Sequence, residues 1–327
     1  MTNAPSGPAS SAAGLAHRPL LAIVFMLAAV GLFATTDLLV KFAAPEIGTI
    51  ELLFFRMIFG MLPLIPLMMH EAGHSRIWEM LYTQRFVMHT VRSLIACLFL
   101  TLYFVSVVLL PLADAYAIGF AAPLWVAALS VPILGEKVGV RRWAAIVVGL
   151  IGVMVILRPG GGVLSVGGLA GLAATVLFAI SMILIRIMSR TESSSSIVFY
   201  FQAYAILLTG LLLLVAIAVP EFGQIWGGFF GWTMPSTTQL WMILVGIGLI
   251  GGIGQVCITL SYRYAEAVVV SPFTYTSILW GLGYGIFLFG DYPVPLTLVG
   301  AAIVIASGIY LLLRETQLKK ASNPAES

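Results

Sequence analysis

The sequence predicts an all-α, polytopic membrane protein of ten transmembrane helices, arranged as two inverted five-helix repeats. Three observations predict it: an apolar composition, ten recurring apolar runs, and a Lys/Arg bias that alternates with those runs. Of the 327 residues, 61% are hydrophobic and 9% are charged, and the mean hydropathy is +1.08. A soluble domain is about 45–50% apolar and about 25% charged. This chain has too few polar side chains to cover a water-facing surface. Its expected surroundings are membrane lipid, with no nucleic acid as partner.

Apolar runs recur at 20–41, 47–69, 86–107, 112–134, 143–158, 166–188, 197–219, 239–261, 267–289 and 295–313. Each supplies roughly the 20 residues that cross about 30 Å of hydrocarbon; the short fifth run borrows from its flanks. The breaks carry loop chemistry, as in Ala44-Pro45, Gly135-Glu136-Lys137, Arg158-Pro159 and Asp291-Tyr292-Pro293. Trp226 and Trp232, in the longest loop between runs seven and eight, suit an interfacial aromatic belt.

Basic residues test the count. With the N-terminus inside, Arg18, Arg76, Arg85, Lys137, Arg141, Arg142, Arg186, Arg190, Arg263, Arg314, Lys319 and Lys320 fall on cytoplasmic segments. Lys41 and Arg158 fall outside. Basic residues are retained on the cytoplasmic side, so the bias supports ten spans and two cytoplasmic termini; the expected location is a bacterial inner membrane. Residues 1–19 read as a flexible cytoplasmic tail, since the first run is too long for a signal-peptide core. Residues 20–160 and 161–314 read as the two repeats, and 315–327 as a C-terminal tail. Cys97 and Cys257 sit inside apolar runs and read as packing residues, not a disulfide.

The halves resemble each other. Leu32-Phe33-Ala34, with Lys41 beyond it, recurs as Leu177-Phe178-Ala179 with Arg186. Leu53-Phe54-Phe55-Arg56 is echoed by Phe199-Tyr200-Phe201-Gln202. Ala113-Asp114-Ala115 matches Ala265-Glu266-Ala267, and Gly135-Glu136 matches Gly290-Asp291. The shared order is the signal. Five spans per half is odd, so tandem halves cross the membrane in opposite senses. Inverted repeats around a midplane site are a common plan for secondary transporters.

The stretch 112–160 (LADAYAIGFAAPLWVAALSVPILGEKVGVRRWAAIVVGLIGVMVILRPG) resembles the EamA family of the drug/metabolite transporter superfamily, and 265–314 resembles its repeat. The resemblance covers about 20–314. It implies ten spans, an inverted five-plus-five repeat, cytoplasmic termini and a central cavity. Within the family the sequence is loosely similar to S-adenosylmethionine uptake carriers; other members move amino acids, riboflavin or other metabolites. Asp291 stands where the family often has Glu. The expected function is therefore a transmembrane carrier of a small organic metabolite, an amino acid or a nucleoside- or cofactor-like solute, working by alternating access. It needs no cofactor and no metal.

Charges deep in lipid are costly and mark functional sites by default. Arg56, the deepest, would anchor a carboxylate or phosphate, or form a structural ion pair. Asp37 would pair with Arg56 or take up a coupling proton; the bland reading pairs it with Lys41, one helical turn on. Glu51 lies near the outer mouth. Tyr103, Trp125, Tyr200, Gln202, Gln255, Tyr275 and Trp280 are candidates to line a cavity for a flat or amphipathic solute. Asp114 and Glu266 sit at helix starts and read as caps. Gly246, Gly248, Gly251, Gly252 and Gly254 thin the eighth run for close helix approach. Gly149-x-x-Gly152 would serve internal packing or a homodimer.

Two other classes compete. His70-Glu71-Ala72-Gly73-His74 matches the zinc-peptidase pattern H-E-x-x-H, but it falls in a polar loop and lacks an evident third ligand. A non-transporting membrane scaffold is the other alternative; it needs neither inverted halves nor a deep charge. No G-x-x-x-x-G-K-S/T nucleotide loop is present.

Overall fold

The computed structural model describes residues 18–72, 83, 85–135, 139–157, 165–189, 191–219, 221, 229, 231–265 and 267–322. All regular structure among them is helical. In chain order the helices are α1 (Pro19–Ala43), α2 (Thr49–Ala72), α3 (Phe86–Leu109), α4 (Leu112–Gly119), α5 (Ala122–Leu134), α6 (Val140–Leu157), α7 (Val166–Met188), α8 (Ser194–Ala218), α9 (Thr238–Tyr264), α10 (Ala267–Val270), α11 (Ser277–Tyr284) and α12 (Pro295–Ser322). A 3₁₀ segment, Ser271–Thr276, joins α10 to α11, and a π turn, Gly285–Phe289, follows α11.

The helix boundaries follow local chemistry. Proline opens α1, where a missing N–H is harmless. Leu110 is extended ahead of Pro111, which ends α3. Ser165, Ser193 and Thr237 cap α7, α8 and α9 by accepting from the N–H of Gly168, Ser196 and Leu240.

Among the described residues, nine segments are long and apolar enough to cross a membrane. They match nine of the ten expected runs; the short fifth begins at Val140 and draws on its N-terminal flank. The expected span at 267–289 is a correction: it is helical throughout, but split into α, 3₁₀, α and π pieces. Pro272 lies in the first turn of the 3₁₀ segment, where it cannot donate to the preceding turn. The fourth span is also interrupted, at Phe120–Ala121, ahead of Pro123. The helix of the last span continues past 314 to Ser322, so the stretch read as a tail begins helical.

Helix α9 lies between α1 and α2; α3 packs on α7 and α8, α2 on α8, and α6 on α12. The glycines of α9 do what their spacing predicts. A methyl group added at Gly252 would meet the Gly60 carbonyl oxygen at 2.6 Å and Pro63 Cγ at 3.0 Å on α2, and one at Gly254 would meet Phe33 at 3.1 Å on α1. Gly149 and Gly152 face Leu124, Ser307, Ile303 and Val304, so this small-residue face is used inside the chain. Gly135 (φ +69°) and Gly290 (φ +68°), the glycines of the matched Gly–acid pairs, share one left-handed conformation, and each ends a broken span. Large side chains such as Leu207, Leu211 and Leu214 on α8 stay exposed on the outside, as lipid contact requires.

Polar contacts gather the loops into two ends. At one end Arg18 N–H bonds the Tyr264 carbonyl, and Thr83 bonds Glu192. At the other, Lys41 bonds the Leu110 carbonyl at 2.8 Å and Asp291 at 3.4 Å. Ile50 N–H bonds the Phe229 carbonyl there, and Glu51 bonds Thr233.

The tight seam between α2 and α9 carries a first prediction. Gly252→Leu must push the two backbones apart and should destabilise the fold by about 1–3 kcal/mol. Gly283→Ala, whose added methyl meets nothing within 4 Å, should be neutral or mildly stabilising. Thermal unfolding of both variants in detergent measures the difference.

Candidate functional site

Asp37 is buried in α1 at 5% exposure. It does not pair with Lys41 as the one-turn spacing suggests. The Tyr103 hydroxyl of α3 donates to Asp37 Oδ2 at 2.6 Å, and the Tyr116 hydroxyl of α4 donates to the same oxygen at 3.0 Å. Lys41 instead serves Leu110 and Asp291 and lies over the Phe289 ring at 5.0 Å. The helix brings Lys41 and Asp37 to one face, but tertiary partners outbid the local pair. Asp291, read as a loop residue, is half of that ion pair.

Arg56 enters the same region from α2. Its guanidinium lies over the Phe104 ring at 5.2 Å, an attraction of cation for the aromatic face. Asp37 and Tyr103 lie within its electrostatic reach, yet Nη1 is buried with no hydrogen-bond partner. Room for the group comes from α9: a methyl at Gly251 would sit 3.2 Å from Arg56 Nε and 3.5 Å from Thr36 Oγ1. Five helices, α1, α2, α3, α4 and α9, therefore meet around one guanidinium and one carboxylate.

Tyr103 has a second face. It also lines a cavity of about 170 Å³ between α3, α4, α5 and α7, whose other walls include Phe99, Gly119, Gly171 and Phe178. Ser106 Oγ, on the same wall, is buried without a partner.

Of the ten candidate residues, Asp37, Arg56 and Tyr103 form one cluster. None of the others has a hydrogen bond or ring contact with these three among the described residues. Glu51, expected near the outer mouth, is fully buried; its Oε2 accepts the Thr233 N–H at 2.9 Å. It ties the 231–236 segment to α2. Gln202 is buried beside Gly60 of α2. Tyr200 stacks on His89 at 4.3 Å. Tyr275 packs edge-on to Phe120 and against Gly308. Trp125 packs on the main core with its Nε1 unpartnered. Gln255 is half-buried on α9. Trp280, 42% exposed, covers Gly31 of α1. Asp114 stands in the first turn of α4 but makes no capping bond. Glu266, His74 and Trp226, like the side chains of His70 and Glu71, lie outside the described residues.

Sequence reasoning missed three features. Tyr116 is the second phenol on Asp37. His89 is fully buried, with Nε2 3.5 Å from Glu192 Oε2. Arg92 is buried, donates to the Ile197 carbonyl at 3.0 Å and lies over Phe201. The last two join α3 to the start of α8 and the loop before it. Their only signal was polar residues, His89 and Arg92, one turn apart in an apolar run.

Comparison with known proteins fits this architecture. Residues 20–158 match the model of the EamA-like transporter family. The chain is 30% identical over 280 residues to the pseudopaline exporter CntI of Pseudomonas aeruginosa, covering 85% of this chain and 91% of that one. It is 27% identical over 307 residues to a riboflavin transporter of Vibrio cholerae, covering 92% and 96%. It is 25% identical over 290 residues to an S-adenosylmethionine uptake transporter of Rickettsia conorii, covering 89% and 90%. A solved crystal structure aligns over 90% of this chain and 98% of its own, with a TM-score of 0.61 at 16% identity, a likeness of fold.

The anchoring contact of Glu51 separates it from the Asp37–Arg56 cluster. Glu51→Ala should speed proteolytic cleavage within 231–236 and leave solute preference unchanged. Limited proteolysis and competition assays check this, and an altered preference would return Glu51 to the solute path.

Proposed function

Because the chain belongs to the EamA-like transporter family, we propose that it is a secondary carrier of a small organic metabolite, with Arg56 and Asp37 in its solute site. The carrying observation is Arg56, half-buried between helices, whose Nη1 is buried without a hydrogen-bond partner. Leaving a charged donor unmatched away from water costs about 1–3 kcal/mol or more. A bound carboxylate or phosphate would recover that cost, in a bidentate geometry suited to arginine. A scaffold gains nothing from the arrangement. The zinc-peptidase alternative finds no place in a transporter family.

Alternating access follows from the two halves. Pairing of α1 with α9 and of α7 with α3 would be one contact seen twice in an inverted repeat. The two interrupted spans and the two left-handed glycines occupy matching places in the order. Broken helices at inverted repeats commonly frame transporter sites. Each end is held by contacts between the halves: Lys41 with Asp291 at one, His89 and Thr83 with Glu192 at the other. Opening either end requires releasing its set. The end with Arg18, Arg85 and Arg263 is assigned to the cytoplasm of a bacterial inner membrane, with both termini there. The relatives named for riboflavin and S-adenosylmethionine support a nucleoside- or cofactor-like solute; an amino acid is the other solute expected from the sequence.

A metabolite screen in proteoliposomes, run with both directions of pH gradient, tests the reading. Arg56→Ala and Asp37→Asn should each lower flux about tenfold or more, the scale of one lost charge-assisted bond, with folded protein still in the membrane. Wild-type flux in both variants would remove these residues from the site. Tail mapping that placed Met1 and Ser327 on opposite sides would refute the topology.

A further inference from the structure

A basic face stands away from the central cluster, where α6 begins and the last span ends. Helices α6 and α12 run antiparallel in a fixed register. A methyl at Gly149 would meet Ser307 Oγ at 2.5 Å, and one at Gly300 would meet Ile156 Cγ1 at 2.6 Å. Ala145 and Ile146 share a small buried cluster with Leu311. Continued by one turn, this register sets Arg142 opposite Arg314. Helix α12 starts beside Asp291, at the Lys41 end, so this pairing lies at the Arg18 end.

The glycine seam therefore holds two like charges at one level. Little nearby offsets them. The first turn of α6 has no acidic residue. It carries Arg141 and Arg142 at the positive end of a helix dipole, where cations are disfavoured. Across 136–142 and 314–320 the sequence has six cations and two carboxylates. Arg142 Nε is buried with no hydrogen-bond partner. Such a face calls for an anion.

The surroundings decide which anion. Arg141 and Trp143 are exposed, and Val147 and Ile151 continue the same stripe of α6, exposed and apolar. Leu313 is exposed on α12. Beyond Arg314 the helix carries on through Lys319 and Lys320. A free anion has no use for an apolar wall below the charges, whereas a phospholipid uses both parts. We propose that this end of the α6–α12 pair is a binding site for an anionic phospholipid, selected by headgroup charge. Arg142 and Arg314 take the phosphate, in the geometry suited to guanidinium groups. Arg141 adds attraction for a second negative group, Trp143 sits at headgroup level, and the acyl chains lie along the apolar stripe. The anionic cytoplasmic leaflet supplies such lipids on the side assigned to this end. The inference goes beyond the carrier reading and does not depend on which solute is carried.

Full-length protein in detergent, titrated with phospholipids brominated on their acyl chains, tests this. Bromine quenches tryptophan at short range, and the emission lost in Trp143→Phe reports this face. Brominated phosphatidylglycerol should quench that part at about tenfold lower concentration than brominated phosphatidylcholine, since each arginine near an anionic headgroup contributes several-fold. Arg142→Gln combined with Arg314→Gln should remove the preference. Arg142→Lys combined with Arg314→Lys keeps the charge and should retain most of it. Equal quenching by the two lipids in the wild type overturns the inference, and that comparison decides even if the Gln pair fails to fold. A preference that survives in a folded Gln pair overturns it too. Displacement of the lipid by glycerol 1-phosphate at matching concentration would show a site for free phosphate and overturn the lipid site.

Discussion

Holding a guanidinium among apolar helices is the constraint to which the centre of this protein answers. Arg56 Nη1 is out of reach of solvent, and the fold gives the group a carboxylate nearby, an aromatic face beneath and space alongside. Each comes from a different helix. The space is the least obvious part: Gly251 is small because Arg56 and Thr36 stand beside it, while Gly248 and Gly252 are small because α2 presses there. In lipid, close packing and internal polar contacts replace the hydrophobic drive between helices. One glycine-rich helix thus meets two needs, close approach on one side and room for a charge on another.

The interrupted spans answer to a related constraint. Irregular backbone at membrane depth persists only where protein or a wet cavity covers it. The α4–α5 break lies beside the cavity through Gly119 and Ala122, with α7 across from it. The break around Ser271–Thr276 packs on α1. Both interruptions therefore sit against the opposite half of the chain. Short helical pieces can reorient by small dihedral changes at their junctions, which long unbroken helices such as α1 and α9 cannot do.

The architecture was legible because hydropathy adds up over some twenty residues, so a few misplaced side chains do not erase a span. Glycine spacing on α9 was legible for the same reason. Partners were not. Asp37 and Lys41 are four residues apart, and a local rule joins them; the fold instead sends Asp37 to phenols 66 and 79 positions away and Lys41 to a carboxylate 250 positions away. Glu51 looked like a mouth residue because its place along the helix is readable and its loop partner Thr233 is not. The split of 267–289 was hidden because the run carries no charged residue and stays apolar along its length, and only Pro272 and three glycines beyond it hinted at it. Burial and pairing over long separations are properties of the packed bundle, and a one-dimensional pattern does not carry them.

The sequence echo between the halves is informative where it fails. The offset that relates Leu32-Phe33-Ala34 to Leu177-Phe178-Ala179 sets Asp37 against Met182, and Arg56 is echoed by Gln202. The two charges therefore belong to the first half alone. An alternating carrier needs its halves alike in how they pack and part, because the two open states must be close in free energy. The binding site has no such need. It has to hold the same solute in both states, which is easier if the charged groups sit together on one half and move as one body while the other half supplies apolar walls. The cavity follows this division: Tyr103 and Ser106 come from the first half, and Gly171, Ala174 and Phe178 face them from α7. Alike packing of the halves and a lopsided site are thus compatible demands on the proposed carrier, and the residues at which the echo fails, Asp37 and Arg56, are those of its proposed site.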